Sequence, residues 1–204
     1  MAKESGLELV AFVGVIGSGK DYQSQLLVKQ GYTHINFADS LRELAWIIMN
    51  WKPLAPIEYE AYKKTDWLIN FPVSVKGELQ HDHPNPEIMS GRQFLQRLGD
   101  GVRQVIGEES WINAFRVKLR KLMAEGHTKF CVSDLRYANE FNAIKTLNTS
   151  LSLISPRMDI KIIFTDFRSD KYNDNDPHIS EKLAQQFLAA KSHKDLDIIW
   201  ETPN

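Results

Sequence analysis

The sequence is short of several things that define whole classes of protein. It has one cysteine, Cys131, in 204 residues, which excludes an internal disulfide framework and fits a reducing compartment. Neither sign of charge is in excess: 25 Lys and Arg against 26 Asp and Glu leave a formal net charge of -1. No global basic field draws the chain onto nucleic acid, so stable binding to DNA or RNA is not expected and any anion site must be local. Long apolar runs are missing too. The most apolar helical stretch, Leu41 to Trp51, is too short to span a bilayer and is broken by Arg42 and Glu43. The opening MAKESGLELVAF carries neither an apolar targeting core nor a cleavage signature. There is no internal repeat and no low-complexity tract. What remains, 43% hydrophobic and 25% charged, is the balance of a soluble globular chain with a real core. It is expected in the cytoplasm, with no membrane partner.

Short apolar runs alternate with helical patterns along the chain. Glu8 to Val13 (ELVAFV) reads as a buried parallel strand, and a helix from about Lys20 uses Tyr22, Leu26 and Leu27 before Gly31 stops it. His34 to Phe37 reads as a second strand. Ser40 is placed to cap a helix whose Leu41, Leu44, Ala45 and Ile48 share a face. Pro53 to Gly91 is irregular, with five prolines, and reads as a substrate-side lobe or cover. Ser90 opens a helix with Phe94, Leu95, Leu98, Val102, Val105 and Ile106 as its stripe, which Gly99 and Gly101 should weaken or bend. A helix from Ser110 carries Trp111, Phe115, Leu119 and Leu122. Phe130 to Ser133 is a strand with Asp134 at its carboxyl end, Ala138 to Leu147 a helix, Ile160 to Thr165 a strand, Ser180 to Lys191 a helix, and Asp197 to Glu201 a fifth strand. This alternation predicts one α/β domain over 1–204, with a mostly parallel five-stranded sheet covered on both faces and a helical insert at about 50–110.

The first strand runs into Gly14, four residues, then Gly19 and Lys20. That is the spacing of a phosphate-cradling loop, in which backbone N–H groups and the following helix N-terminus face an anion. Gly14, Gly17, Ser18 and Gly19 would form the cradle, and Lys20 would reach the terminal phosphates as a point charge. Asp21 stands where Ser or Thr is usual. Its carboxylate is a hard oxygen donor suited to Mg²⁺ or to one of its waters; equally, it suits a helix N-terminus by charge alone.

Ligands of doubly wound sheets lie beyond the carboxyl ends of the strands, which nominates further residues. Asp39 and Arg42 follow the second strand; Asp134, Arg136 and Glu140 follow the third; Arg168 follows the fourth. Asp134 fits a magnesium water or the attacking oxygen, or a cap on the next helix. Arg136 fits a phosphate through its planar fork, or an ion pair with Glu140. Arg92, Gln96, Gly99 and Arg103 share one helical face, which suits either solvent or a monophosphate. His81-Asp82-His83 has no further ligand spacing and reads as an exposed loop. The five tryptophans read as packing, with one in the insert able to stack on a base.

Taken in order, GVIGSGKD, FADSLRELA, SGRQFLQRLGDGVRQ with Arg92, the Trp111 helix, SDLRYANE and HISE at His178 to Glu181 resemble the deoxynucleoside monophosphate kinases of tailed bacteriophages. The likeness runs from about Gly14 to Leu183. It implies a P-loop kinase fold, with ATP as co-substrate, Mg²⁺ as cofactor and a deoxynucleoside 5′-monophosphate (dNMP) as acceptor. By the same likeness Lys20, Asp134 and Arg136 are catalytic. Gly14, Gly17, Ser18, Gly19, Lys20, Asp21, Tyr22 and Arg168 bind ATP, and Asp39, Arg42, Arg92, Arg136 and Glu140 bind the acceptor. Asp21 and Asp134 stand near the metal, and residues 166–180 form a lid. A homodimer and a host-cell cytoplasmic location are further implications.

Three other readings stay open. The acceptor is a 5-hydroxymethyl pyrimidine, free or in DNA, although a DNA acceptor needs an extended basic groove. A kinase resembling dephospho-coenzyme A kinase accounts less well for SGRQFLQRLG. A nucleotide-binding regulator without turnover is the non-enzymatic reading, against which stand Arg92, Asp134 and Arg136 together.

Overall fold

A computed structural model describes residues 6–14, 17–49, 58, 61, 63–64, 66–69, 87–151, 157–165 and 198–201. In chain order the elements are β1 (Leu7–Val13), α1 (Lys20–Lys29), β2 (Thr33–His34), α2 (Asp39–Ile48), β3 (Asp66–Ile69), β4 (Glu87–Ser90), α3 (Gly91–Val105), α4 (Ser110–Ala124), β5 (Lys129–Leu135), α5 (Ala138–Lys145), α6 (Leu147–Leu151), β6 (Met158–Thr165) and β7 (Ile198–Glu201). They fall into two compact units, one of residues 1–39 with 111–204 and one of residues 40–110.

The first unit is built on a sheet of order β2-β5-β1-β6-β7, every pairing parallel. Parallel strands covered on both faces must be apolar throughout, and in β1 only Glu8 is not buried. Alternate side chains divide between two cores. Leu7, Leu9, Ala11 and Val13 join Ile112, Phe115 and Leu119 of α4 and Phe141 and Ile144 of α5. Val10 and Phe12 point the other way, onto Ile163, Tyr32 and Leu27 of α1. Helices therefore cover both faces, and the order puts β1 in the centre with its carboxyl end open to the loop that follows.

Several expectations are corrected. The five strands are unequal: β1, β5 and β6 carry the sheet with seven or eight residues each, flanked by the short edges β2 and β7. The second strand, expected over 34–37, pairs only at Thr33 and His34; beyond them the Ser133 N–H goes to the Asn36 side chain, and the Phe37 and Ala38 N–H groups go to Asp134. β5 runs on to Leu135, so Asp134 lies inside the strand rather than after it. α2 opens at Asp39, one residue before the expected Ser40 cap. Tyr22 is 62% exposed and contributes nothing to the core. The expected lid at 166–180, the helix at 180–191, the His81-Asp82-His83 loop and Trp51 lie outside the described residues.

The second unit departs further. The insert was expected to be helical, yet β3 and β4 form an antiparallel pair, with Asp66 opposite Ser90 and Ile69 opposite Glu87. Ser90 then caps α3: its Oγ accepts from the Gln93 N–H, and Gln93 Oε1 accepts from the Ser90 N–H, the reciprocal arrangement of a capping box. α3 continues through Gly99 and Gly101. Gly99 has a packing reason, since a Cβ there would stand 3.2 Å from Leu41 Cδ2. Phe94 and Ala45 centre the small core, with Met49, Leu95 and Leu98 against it. Val105 and Ile106 are 86% and 76% exposed, because the stripe outlasts the core on which it packs.

At the start of β1, Glu8 is held by Tyr32 and by Lys161 at 3.3 Å. Burial, and then the bond to Glu8, push the Tyr32 phenol up to about 12. A raised value means that the folded state keeps its proton, so this contribution is whole below about pH 10 and is lost as pH rises through about 12. The stability difference between the wild type and Tyr32→Phe, read by urea melts, should therefore shrink from pH 10 to pH 12. A constant difference would show that the phenol is not held.

Candidate functional site

The loop after β1 is shaped by what cannot fit beside it. A Cβ on Gly14 would collide with the carbonyl oxygen of Thr165 and come within 2.5 Å of Ser18 Oγ and 2.7 Å of Thr165 Oγ1. Glycine alone lets the ends of β1 and β6 close to this distance. Ser18, buried, then shares a hydrogen bond with Thr165 Oγ1 at 3.0 Å. Gly17 and Gly19, on either side of it, take φ of 81° and 83°, left-handed values that cost other residues energy. Gly19 stands at the N-cap of α1 with no side-chain cap, so the first amides of that helix are not consumed by a capping oxygen. Glycine-bent backbone running into a helix N-terminus is the geometry that receives a phosphate.

Lys20 is the first residue of α1 and is buried. Its ammonium donates to Gly14 O at 2.6 Å and to Ser18 Oγ at 3.4 Å. A lysine folded over its own loop puts a positive charge against the cradle before any ligand arrives. Next to it, Asp21 is exposed. One oxygen, Oδ1, accepts from Ser133 Oγ at 2.8 Å; among the described residues nothing donates to Oδ2.

The other carboxylates are committed within the fold. Asp134, buried, accepts from Phe37 N at 3.0 Å on one oxygen and from Ala38 N at 2.9 Å on the other. It thus holds the turn leading into α2, a use that neither of its expected roles covers. Asp39 Oδ2 accepts from Asn36 N and from Lys118 Nζ, each at 3.0 Å. Glu140, buried, accepts on Oε2 from the backbone N–H of Arg136 at 3.0 Å and of Tyr137 at 3.1 Å. It therefore fastens the start of α5, where a surface ion pair with the Arg136 side chain had been the alternative. That clamp leaves Arg136 exposed just beyond the end of β5.

The first unit thus gathers Gly14, Gly17, Ser18, Gly19, Lys20, Asp21, Asp134, Arg136 and Glu140 around the carboxyl ends of β1 and β5. Arg42 and Arg92 belong to the second unit, Arg92 exposed in the first turn of α3 and Arg42 half-buried in α2. Arg103, on the same helix as Arg92, pairs with Asp100 at 3.4 Å. Arg168 lies outside the described residues. Sequence reasoning passed over Thr165, Ser133, Ser24 and His34. Two of them carried a signal: Thr165 is the polar last residue of an apolar strand, and Ser24 follows Asp21 by one helical turn.

Mg²⁺ fits this donor set in one way. Among the described residues no three His, Cys, Asp or Glu side chains form a cage. Magnesium is usually held by one or two carboxylates together with substrate phosphates, and the Asp21 carboxylate beside the cradle meets that need. Among the described residues no helix is long and apolar enough to cross a membrane.

No known protein-family profile matches the chain, and no curated protein matches it in sequence. Among solved structures it is similar to the APS kinase of Mycobacterium tuberculosis, at 15% identity over 92% of this chain and 98% of that one, with a TM-score of 0.32. A likeness of that size decides nothing about chemistry; the local geometry has to carry it.

Gly14→Ala should lower stability by about 1–3 kcal/mol through overpacking. Adding Thr165→Ala should not restore it, because the collision is with a main-chain oxygen. Recovery of wild-type stability in the double variant, measured by calorimetry, would show that the loop tolerates the Cβ.

Proposed function

We propose that the protein is an ATP-dependent kinase that phosphorylates a deoxynucleoside 5′-monophosphate. The observation that carries this reading is the loop between β1 and α1. Its two glycines at positive φ and the buried Lys20 directed at its carbonyl follow the carboxyl end of the central strand of a parallel sheet. The choice of acceptor rests on the resemblance of the SGRQFLQRLGDGVRQ and SDLRYANE segments. The exposure of Arg92 and Arg136 is compatible with that choice.

Phosphoryl transfer asks mainly for positioning and charge neutralisation. An oxygen of the acceptor phosphate attacks the γ-phosphorus of ATP. A new P–O bond forms, the bond to the β,γ-bridging oxygen breaks, and ADP leaves with that electron pair. Lys20 exchanges its Gly14 carbonyl for phosphate oxygens, and the loop amides hold the rest of the triphosphate. Arg136 presents the acceptor through two parallel N–H bonds, with its backbone anchored by Glu140. Bound Mg²⁺ supplies further charge neutralisation at the phosphates, and we assign its protein oxygen to Asp21 rather than Asp134, whose oxygens both accept backbone N–H groups. Arg92 and Arg42 are assigned to the acceptor, and Arg168 to a closing segment, on the resemblance alone.

Incubation with Mg·ATP and each of the four standard dNMPs should yield ADP and one or more deoxynucleoside diphosphates. Product only from 5-hydroxymethyl pyrimidine nucleotides, or only from DNA, would move the assignment to base-modification kinases. ATP binding without product from any acceptor would favour a regulator. Lys20→Ala and Arg136→Ala should each abolish transfer with an unchanged circular dichroism spectrum. Turnover by Arg136→Ala at the parent rate would overturn its acceptor role.

A further inference from the structure

Beside the cradle, three elements meet in a hydrogen-bond chain that runs from the exposed His34 through the buried Ser133 to the exposed Asp21. Ser133 Oγ donates to Asp21 Oδ1 at 2.8 Å, which spends its only proton. The 3.0 Å contact between Ser133 Oγ and His34 Nε2 must then run the other way, with Nε2–H donating. Proton accounting thus fixes the imidazole with hydrogen on Nε2. The order is His34 to Ser133 to Asp21, from β2 through β5 to α1.

Each link is braced. The Ser133 N–H donates to Asn36 Oδ1 at 3.0 Å, and Asn36 is buried. Ser24 Oγ lies 3.5 Å from His34 Nε2 and donates to the Asp21 carbonyl at 3.2 Å, tying the same turn of α1 to the same ring. The two residue pairs of β2 put His34 opposite Cys131 in the ladder, two places before Ser133. Cys131 is fully buried, its thiol pushed up to about 11 by burial, and its Sγ donates to Ser24 O at 3.7 Å. It is a packing residue here, not a reactive one.

We propose that His34 is a positioning residue for Asp21. Acting through Ser133, it fixes one carboxylate oxygen so that the other is left for the divalent cation that accompanies nucleotide phosphates. The inference rests on the phosphate-loop reading and extends it to a residue that touches neither nucleotide nor cation. Hydrogen-bond partners that hold a metal ligand in this way typically affect metal affinity 10–100-fold when removed.

The test is binding of a fluorescent ATP analogue, titrated once with Mg²⁺ and once with EDTA, for wild type, Ser133→Ala, His34→Leu, His34→Gln and His34→Asn. Gln sets an N–H near the place of Nε2, whereas Asn reaches only to that of Nδ1. The expected result is that Mg²⁺ tightens wild-type binding. Ser133→Ala, His34→Leu and His34→Asn should lose about 10–100-fold of that increment while keeping their EDTA affinity, and His34→Gln should retain most of it. Equal loss in Mg²⁺ and in EDTA would make the chain merely structural and overturn the proposal. So would a full Mg²⁺ increment in His34→Leu, or a wild type that binds the analogue equally with and without Mg²⁺. A wild type that binds no analogue under either condition removes the nucleotide site itself, and the proposal with it.

Discussion

Between the end of β1 and the end of β6 there is no room for a β-carbon. Gly14 sits against the Thr165 main chain, and from that approach the rest of the site follows. Ser18 reaches the Thr165 hydroxyl, Gly17 and Gly19 turn the chain through left-handed conformations, and Lys20 begins α1 with its ammonium on the Gly14 carbonyl. Strand pairing supplies the force that holds the two ends together: β1 and β6 match residue for residue from Leu7 with Met158 to Val13 with Phe164. The shape of the glycine loop is therefore a product of sheet register as much as of its own glycines.

Around it, the fold separates two kinds of charged group. Asp134, Glu140 and Asp39 accept from backbone N–H groups or from Lys118, fastening turns at the open end of the sheet. A buried carboxylate without such partners would be costly; with them, it locks the backbone that carries the exposed groups. Asp21 and Arg136 are the exposed ones. Asp21 is placed by Ser133, the residue before Asp134, and Arg136 by Glu140. In a chain of net charge -1, the groups left to meet an anion at this end of the sheet are main-chain amides and a few directed cations.

Much of the fold could be read in advance. ELVAFV and IKIIFT read as buried strands because they are short and mostly apolar, and both lie in strands of the sheet. Ser90 was expected to open a helix, and it caps one. Elsewhere, local pattern misled. His34 to Phe37 had the look of a strand, but Ile35 and Phe37 bury themselves after pairing stops. Val105 and Ile106 continued a periodic stripe past the end of the core beneath it. The β3–β4 pair was hidden because 17 residues between its strands, 70–86, carry no hairpin turn signal.

By itself, the sequence determined the cradle and the alternation of strand and helix, because both are written in contiguous residues whose backbone preferences and periodicity need no distant partner. Which carboxylates are spent on backbone N–H groups was decided only by tertiary structure. Asp21, Asp39, Asp134 and Glu140 are chemically alike, and all follow or close a strand along the chain. What distinguishes them is the N–H or hydroxyl that meets each one, and for Asp21 and Asp134 it comes from residues about a hundred positions away, Ser133, Phe37 and Ala38. Such meetings exist only once the sheet has assembled.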